Sequence, residues 1–395
     1  RCQLGGRLGR AVGVLLLLAG ACGPRTPGPV TFEGVELLPE AASPPSLLTS
    51  FDGAVEVGGP EAWRDFRRGE LVALLEHYLY GALPAKVAPV VTQVAEAPGV
   101  LPGVDYAEHE VKVGARSIFL ALFRPAGVAR PPVFLGLNKC GNQTLVADAR
   151  VRLTTSASHA ACDGARGSQT AVWPLADVAA AGFALATFHE GDAAPDDPTR
   201  VREGLIGALS TSGPPQARWG ALSAWAYGLH RAADALSGLD VDPARITLVG
   251  HSRRGKAALW AAALDERFAG VIAHQSGRGG APLTRNGTGE TVELINAAFP
   301  HWFNDVFPTF AGKETRLPVD QHMLVALVAP RRVLLSEGDD DAWADPAGSK
   351  ASLELAHAAW ELLSAPKDLV QWQTRPGGHE IHRDDWLSFL VWAQR

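Results

Sequence analysis

One short segment has the residue types and spacing of an activated nucleophile. Arg245-Ile246-Thr247-Leu248-Val249 is a β-branched and aliphatic run leading into Gly250-His251-Ser252-Arg253-Arg254-Gly255-Lys256, and an Ala-rich helical stretch follows at once. An attacking hydroxyl must stand clear of a sheet on a tight strand-to-helix turn, and small flanking residues let strand and helix approach closely. The backbone N–H of the next residue, here Arg253, then faces the oxyanion that attack creates. The usual spacing is Gly-x-Ser-x-Gly; here the second glycine stands one residue later, at Gly255. Serine also caps ordinary helices, so this segment alone leaves both readings open.

Partners for the serine lie further along the chain. The strand-like run Val333–Ser336 enters the acidic loop Glu337-Gly338-Asp339-Asp340-Asp341, and Pro376-Gly377-Gly378-His379 follows the last short strand. Serine, acid, histidine is the chain order of an α/β-hydrolase triad. Of the 12 histidines, His379 alone sits in a Gly-rich turn at a strand end, and His382 is the fallback. Asp341, where the loop first turns back, is preferred to Asp345 and Asp339. The chemistry is acyl transfer: Ser252 attacks a carbonyl, His379 takes its proton, and Asp341 fixes the imidazole tautomer and stabilises the imidazolium.

Bringing three such side chains together demands a rigid frame. Apolar residues at helical spacing predict a helix over 63–80, and short strands are expected at 90–94, 106–113, 117–123 and 132–138. The run 132–138 is apolar throughout, as in a strand buried on both faces. Helix and strand patterns then alternate through 175–181, 183–187, 221–236, 246–249, 255–264, 271–273, 333–336, 351–363, 370–373 and 385–394. Such alternation predicts an α/β fold, a three-layer α/β-hydrolase sandwich whose mostly parallel central sheet carries helices on both faces. Residues 281–322 break the rhythm and read as an insertion over the sheet's C-terminal edge, where such folds build their sites.

The first 22 residues read as a signal peptide: Arg1, Arg7 and Arg10 precede an apolar stretch too short to span a bilayer. Leu18-Ala19-Gly20-Ala21-Cys22 is similar to a lipobox, which would lipidate Cys22, so the protein is expected to be exported, as a lipoprotein or secreted. Residues 23–60 read as a tether and irregular arm, and 61–395 as the catalytic domain. Two of the four cysteines, Cys140 and Cys162, lie in that domain, and an oxidising compartment favours their pairing. Net charge is −6 without a basic run, which argues against a nucleic-acid partner. The acidic stretch 191–197 lacks the ligand order of a Ca²⁺ loop and reads as structural. No zinc, P-loop or dinucleotide motif occurs, and acyl transfer needs no cofactor or metal. A monomer is expected.

Beyond these readings, Gly250-His251-Ser252-Arg253-Arg254-Gly255-Lys256 resembles the Gly-x-Ser-Arg-x-Gly-Lys signature of the glucuronoyl esterases (carbohydrate esterase family 15). Gln275-Ser276-Gly277-Arg278-Gly279-Gly280, Phe299-Pro300-His301-Trp302-Phe303, Leu317-Pro318-Val319-Asp320-Gln321-His322 and Asp341-Ala342-Trp343-Ala344-Asp345-Pro346 extend the likeness, which runs from Trp63 to the C-terminus and is dense from 240 onward. The resemblance implies hydrolysis of 4-O-methyl-glucuronic acid esters that link glucuronoxylan to lignin. It assigns Ser252 as nucleophile, His379 as base and Arg253 as oxyanion support. Lys256 would bind sugar hydroxyls, Trp343 would line the sugar pocket, and Glu290 is a candidate sugar ligand. Fungal members carry the triad Glu just before Ser-Gly-x-Gly-Gly, where this chain has neutral Gln275; Asp341 fits the placement in bacterial members. Asp341→Asn is therefore expected to lose most turnover, and Gln275→Glu to be nearly silent or mildly perturbing. Alternatives are an acetylxylan esterase or an inactive glycan-binding protein on the same scaffold.

Overall fold

A computed structural model describes residues 32–156, 159–209 and 218–395. The signal-peptide and Cys22 readings lie outside them. The alternating pattern resolves into nine strands: β1 Val90–Leu101, β2 Val104–Val113, β3 Arg116–Pro125, β4 Val133–Asn138, β5 Ala184–His189, β6 Ile246–His251, β7 Gly270–His274, β8 Arg332–Gly338 and β9 Val370–Arg375. They form one sheet in the order β1-β2-β3-β5-β4-β6-β7-β8-β9. Every neighbouring pair from β5 to β9 in that order is parallel, whereas β1, β2 and β3 pair antiparallel with one another and β3 pairs antiparallel with β5.

Side-chain alternation along the central strands divides the core in two. In β4, Val133, Leu135 and Leu137 face one side, with Trp225, Trp260 and Trp360 from the helices Ala221–Leu236, Arg253–Leu264 and Pro346–Leu362. Phe134, Val249, Ile272 and Leu334 face the other, against Val178 of the helix Leu175–Ala180 and Trp386 and Phe389 of the helix Arg383–Gln394. Because both faces are covered, the strands are apolar nearly throughout.

Two irregular segments matter for the site. The segment between β7 and β8 carries the short helix Val292–Ala298 and several tight turns. The loop between β4 and the helix Leu175–Ala180 is closed by a disulfide, Cys140–Cys162, as the cysteine count predicts. Residues 32–59 form no helix, yet Leu38, Leu47 and Val57 are buried in the main core, so this part of the arm is docked. No described helix is long and apolar enough to cross a membrane.

Candidate active site

Strand β6 ends at His251, and Ser252 turns the chain into the helix Arg253–Leu264 with a positive φ of 59°. A non-glycine residue holds such a backbone only where its surroundings dictate it. The two glycines explain how. A Cβ on Gly250 would collide with the carbonyl of Arg254, and one on Gly255 would lie 2.9 Å from the Gly250 carbonyl oxygen. The displaced second glycine is thus the residue that lets strand and helix close. As the first residue of its helix, Arg253 has no intrahelical acceptor for its N–H, which leaves that donor beside Ser252.

The base and acid arrive on neighbouring strands. β8 and β9 run parallel, with Gly338 opposite Arg375, and the pairing continues past their ends: Asp339 N–H donates to the Arg375 carbonyl at 2.8 Å and Asp340 N–H to the Gly377 carbonyl at 3.1 Å. Asp341 and His379 therefore lie a few residues beyond one paired edge. His379 Nε2 is 2.9 Å from Ser252 Oγ, and His379 Nδ1 is 2.6 Å from Asp341 Oδ2. The Asp341 side chain is only 2% exposed, whereas that of His379 is 38% exposed, so water reaches the imidazole but not the carboxylate behind it. Such a chain can move a proton from the hydroxyl to the imidazole while the buried carboxylate stabilises the charge.

The rival residues are engaged elsewhere. Asp345 caps the helix Pro346–Leu362 through Gly348 N–H at 2.9 Å and accepts from Asn286 Nδ2 at 2.8 Å. Asp339 is exposed, and His382 caps the helix Arg383–Gln394. Gln275, just past β7, sits in the left-handed region with φ 47°. Its amide nitrogen donates to the Gly378 carbonyl, and its oxygen accepts from His251 Nε2 at 3.1 Å. The His251 ring packs 4.8 Å from that of His379, and burial, reinforced by the neighbouring His274, pushes the His251 pKa well down, so this ring is neutral. Gln275 is thus a brace for the histidine loop, a role that its reading as a missing acid did not anticipate.

One wall of the site is charged and locked. The Arg253 guanidinium pairs with Asp196 and lies 4.5 Å over the Trp302 ring and 4.7 Å over Phe299. Burial alone would raise the Asp196 pKa, but hydrogen bonds from His301 at 2.9 Å and Trp302 at 2.7 Å, with the charge of Arg253, hold it well below the ordinary value. Asp196 lies in the acidic stretch read as structural; its task is to fix Arg253, and no local spacing signals a partner so distant in sequence. Among the described residues no group of three or more His, Cys, Asp or Glu is placed to hold a metal ion.

Lys256, one turn along the helix, is buried; its Nζ donates to the Ser276 carbonyl at 2.6 Å and lies 3.9 Å from Glu290 Oε2. Burial, partly opposed by Glu290, lowers the Lys256 pKa to about 8. Burial, partly opposed by Lys256, raises that of Glu290. Trp343 is 52% exposed and stands at the rim, its carbonyl accepting Glu290 N–H at 3.1 Å. The structure therefore gathers Ser252, Arg253, Lys256, Glu290, Asp341, Trp343 and His379 around one sheet edge. Sequence reasoning also missed Glu337, buried on β8 with Ser349 Oγ donating to it at 2.6 Å. Burial, with Asp341 and Asp345 adding to it against the Ser349 bond, raises the Glu337 pKa to about 8.

The fold and this geometry define a serine hydrolase of the α/β-hydrolase class. The family model described as glucuronyl esterase, fungi, matches residues 142–364. A carbohydrate esterase, MZ0003, of an unknown prokaryotic organism is 35% identical over 383 residues, 88% of each chain. A glucuronoyl esterase structure from Solibacter usitatus superposes with a TM-score of 0.83 at 30% identity, over 91% of this chain and 98% of that one. The 4-O-methyl-glucuronoyl methylesterase 1 of Phanerochaete chrysosporium is 34% identical over 196 residues, 46% of this chain and 40% of its own. This chain belongs to the glucuronoyl esterase family.

Proposed function

We propose that the protein hydrolyses esters of 4-O-methyl-glucuronic acid carried on xylan, through an acyl-enzyme on Ser252. The observation that carries this reading is the unbroken hydrogen-bond chain Ser252–His379–Asp341 beside the buried Lys256–Glu290 pair. His379 takes the Ser252 proton as Oγ attacks the ester carbon, and Asp341 stabilises the resulting imidazolium. The oxyanion meets the Arg253 N–H and, from its side chain, a guanidinium that Asp196 keeps in place, so charge is stabilised by a donor already oriented. Lys256 and Glu290 suit the hydroxyls of a uronic acid, and the Trp343 indole suits the apolar face of the sugar.

The natural linkage is read as one between glucuronoxylan and lignin. The Cys140–Cys162 disulfide supports export to an oxidising compartment; a lipid anchor at Cys22 would be checked by membrane partitioning of a Cys22→Ala variant. The central test is release of alcohol from methyl 4-O-methyl-glucuronate by the wild type and by Ser252→Ala. Turnover should fall in the variant by at least about a thousandfold. Acetate release from acetylated xylan without cleavage of the uronate ester would replace the substrate assignment.

A further inference from the structure

A cavity of about 450 Å³ has His379 in its lining but neither Lys256 nor Glu290. Its size is ordinary for a small-molecule site. It opens between the disulfide-closed loop after β4 and the histidine loop, and the His379 ring forms part of its wall. The exposed lining is mainly apolar and includes Trp173, Ile381 and the edge of Trp386, while Lys139, Arg254 and Glu380 contribute charged groups. Trp386 is 1% exposed, and its indole N–H donates to the Val172 carbonyl at 2.8 Å, which fixes the ring; Trp173 packs 5.6 Å from it. Among the described residues Lys139 makes no side-chain hydrogen bond or ion pair, so its ammonium remains a donor for an oxygen on a bound ring.

We infer that this cavity receives the alcohol half of the ester, an aromatic alcohol, and thereby sets leaving-group preference; this rests on the acyl-transfer reading above. When the tetrahedral intermediate collapses, the bond between the carbonyl carbon and the alcohol oxygen breaks. The electron pair leaves with that oxygen, and the proton that His379 took from Ser252 passes to it. The alkoxide must therefore lie within reach of His379 Nε2, and the substituent beyond it must go to a side of the imidazole that the sugar does not fill. The Lys256–Glu290 wall takes the sugar. The aromatic cavity takes the rest.

The test compares kcat/KM for benzyl and methyl glucuronate in the wild type, Ala171→Trp and Trp173→Ala. Ala171 is an exposed residue of the cavity wall, so an indole there occupies the cavity without repacking the core, while Trp173→Ala removes a stacking face. The wild type should prefer the benzyl ester, and each variant should reduce the benzyl-to-methyl ratio by about tenfold. Competitive inhibition by benzyl alcohol should weaken in the same variants. An unchanged ratio in both folded variants overturns the assignment of the cavity while leaving the esterase intact. Wild-type protein inert toward both esters would instead defeat the underlying reading.

Discussion

The ends of β7 and β8 are adjacent and parallel, and both touch the histidine loop, yet they hold it in different ways. At the end of β8, Asp341 gives His379 a buried carboxylate at 2.6 Å. At the end of β7, Gln275 gives the same loop a neutral amide that grips the Gly378 carbonyl and the His251 ring. One strand end supplies charge and the other supplies position. The comparison teaches that a site needs only one carboxylate aimed at its base. A second beside the neutral His251 would be a buried charge without a cationic partner.

The largest effect should come from removing the charge. Asp341→Asn keeps the volume but loses the anion and favours the wrong imidazole tautomer, so kcat should fall by about a thousandfold or more, read with methyl glucuronate. Adding Gln275→Glu to that variant should recover little, because the side chain at 275 addresses His251 and the Gly378 carbonyl. Recovery to within tenfold of wild type would show the two strand ends to be interchangeable.

Gln275→Glu alone, expected from sequence to be nearly silent or mildly perturbing, is now expected to cost about tenfold in kcat/KM together with a lower Tm. A carboxylate there faces the Gly378 carbonyl with no proton to donate, and unchanged turnover and Tm would remove the bracing role. The smallest effect on turnover, though not on stability, concerns Glu337 on β8. Its pKa is raised by folding from 4.5 to about 8, so the folded state binds the proton more tightly than the unfolded one. The stability this confers is complete below the unfolded value and is lost as pH rises through about 8. Glu337→Gln should abolish that loss, and the Tm difference between variant and wild type should grow in the variant's favour from pH 5 to pH 8. Parallel Tm–pH curves would place the ionisation elsewhere.

The strands, the covering helices and the meeting of Ser252, Asp341 and His379 could be read in the sequence because each side chain follows directly on an apolar run. Residues whose meaning depends on a distant partner could not. Asp196 looks like any loop carboxylate until Arg253, His301 and Trp302 are seen around it. Gln275 reads only as an absent acid until the Gly378 carbonyl is placed beside it. Glu337 lies next to the last residue of β8 and reads as the start of an acidic loop, although it is wholly buried. The arm before residue 60 is Pro- and Ser-rich, which hides the three apolar residues that anchor it.

β9 is the last strand of the sheet, and the base loop that follows it is joined to the acid loop by hydrogen bonds just past the ends of β8 and β9. An edge strand frays at lower temperature than a central one. On warming, the histidine loop at the end of β9 should therefore leave Asp341 and Ser252 first, and turnover should fade reversibly several degrees before the tryptophan-lined interior melts. The heat tolerance of the enzyme is then decided at this margin, and stapling β9 to β8 would extend its working range even with the global melting point unchanged.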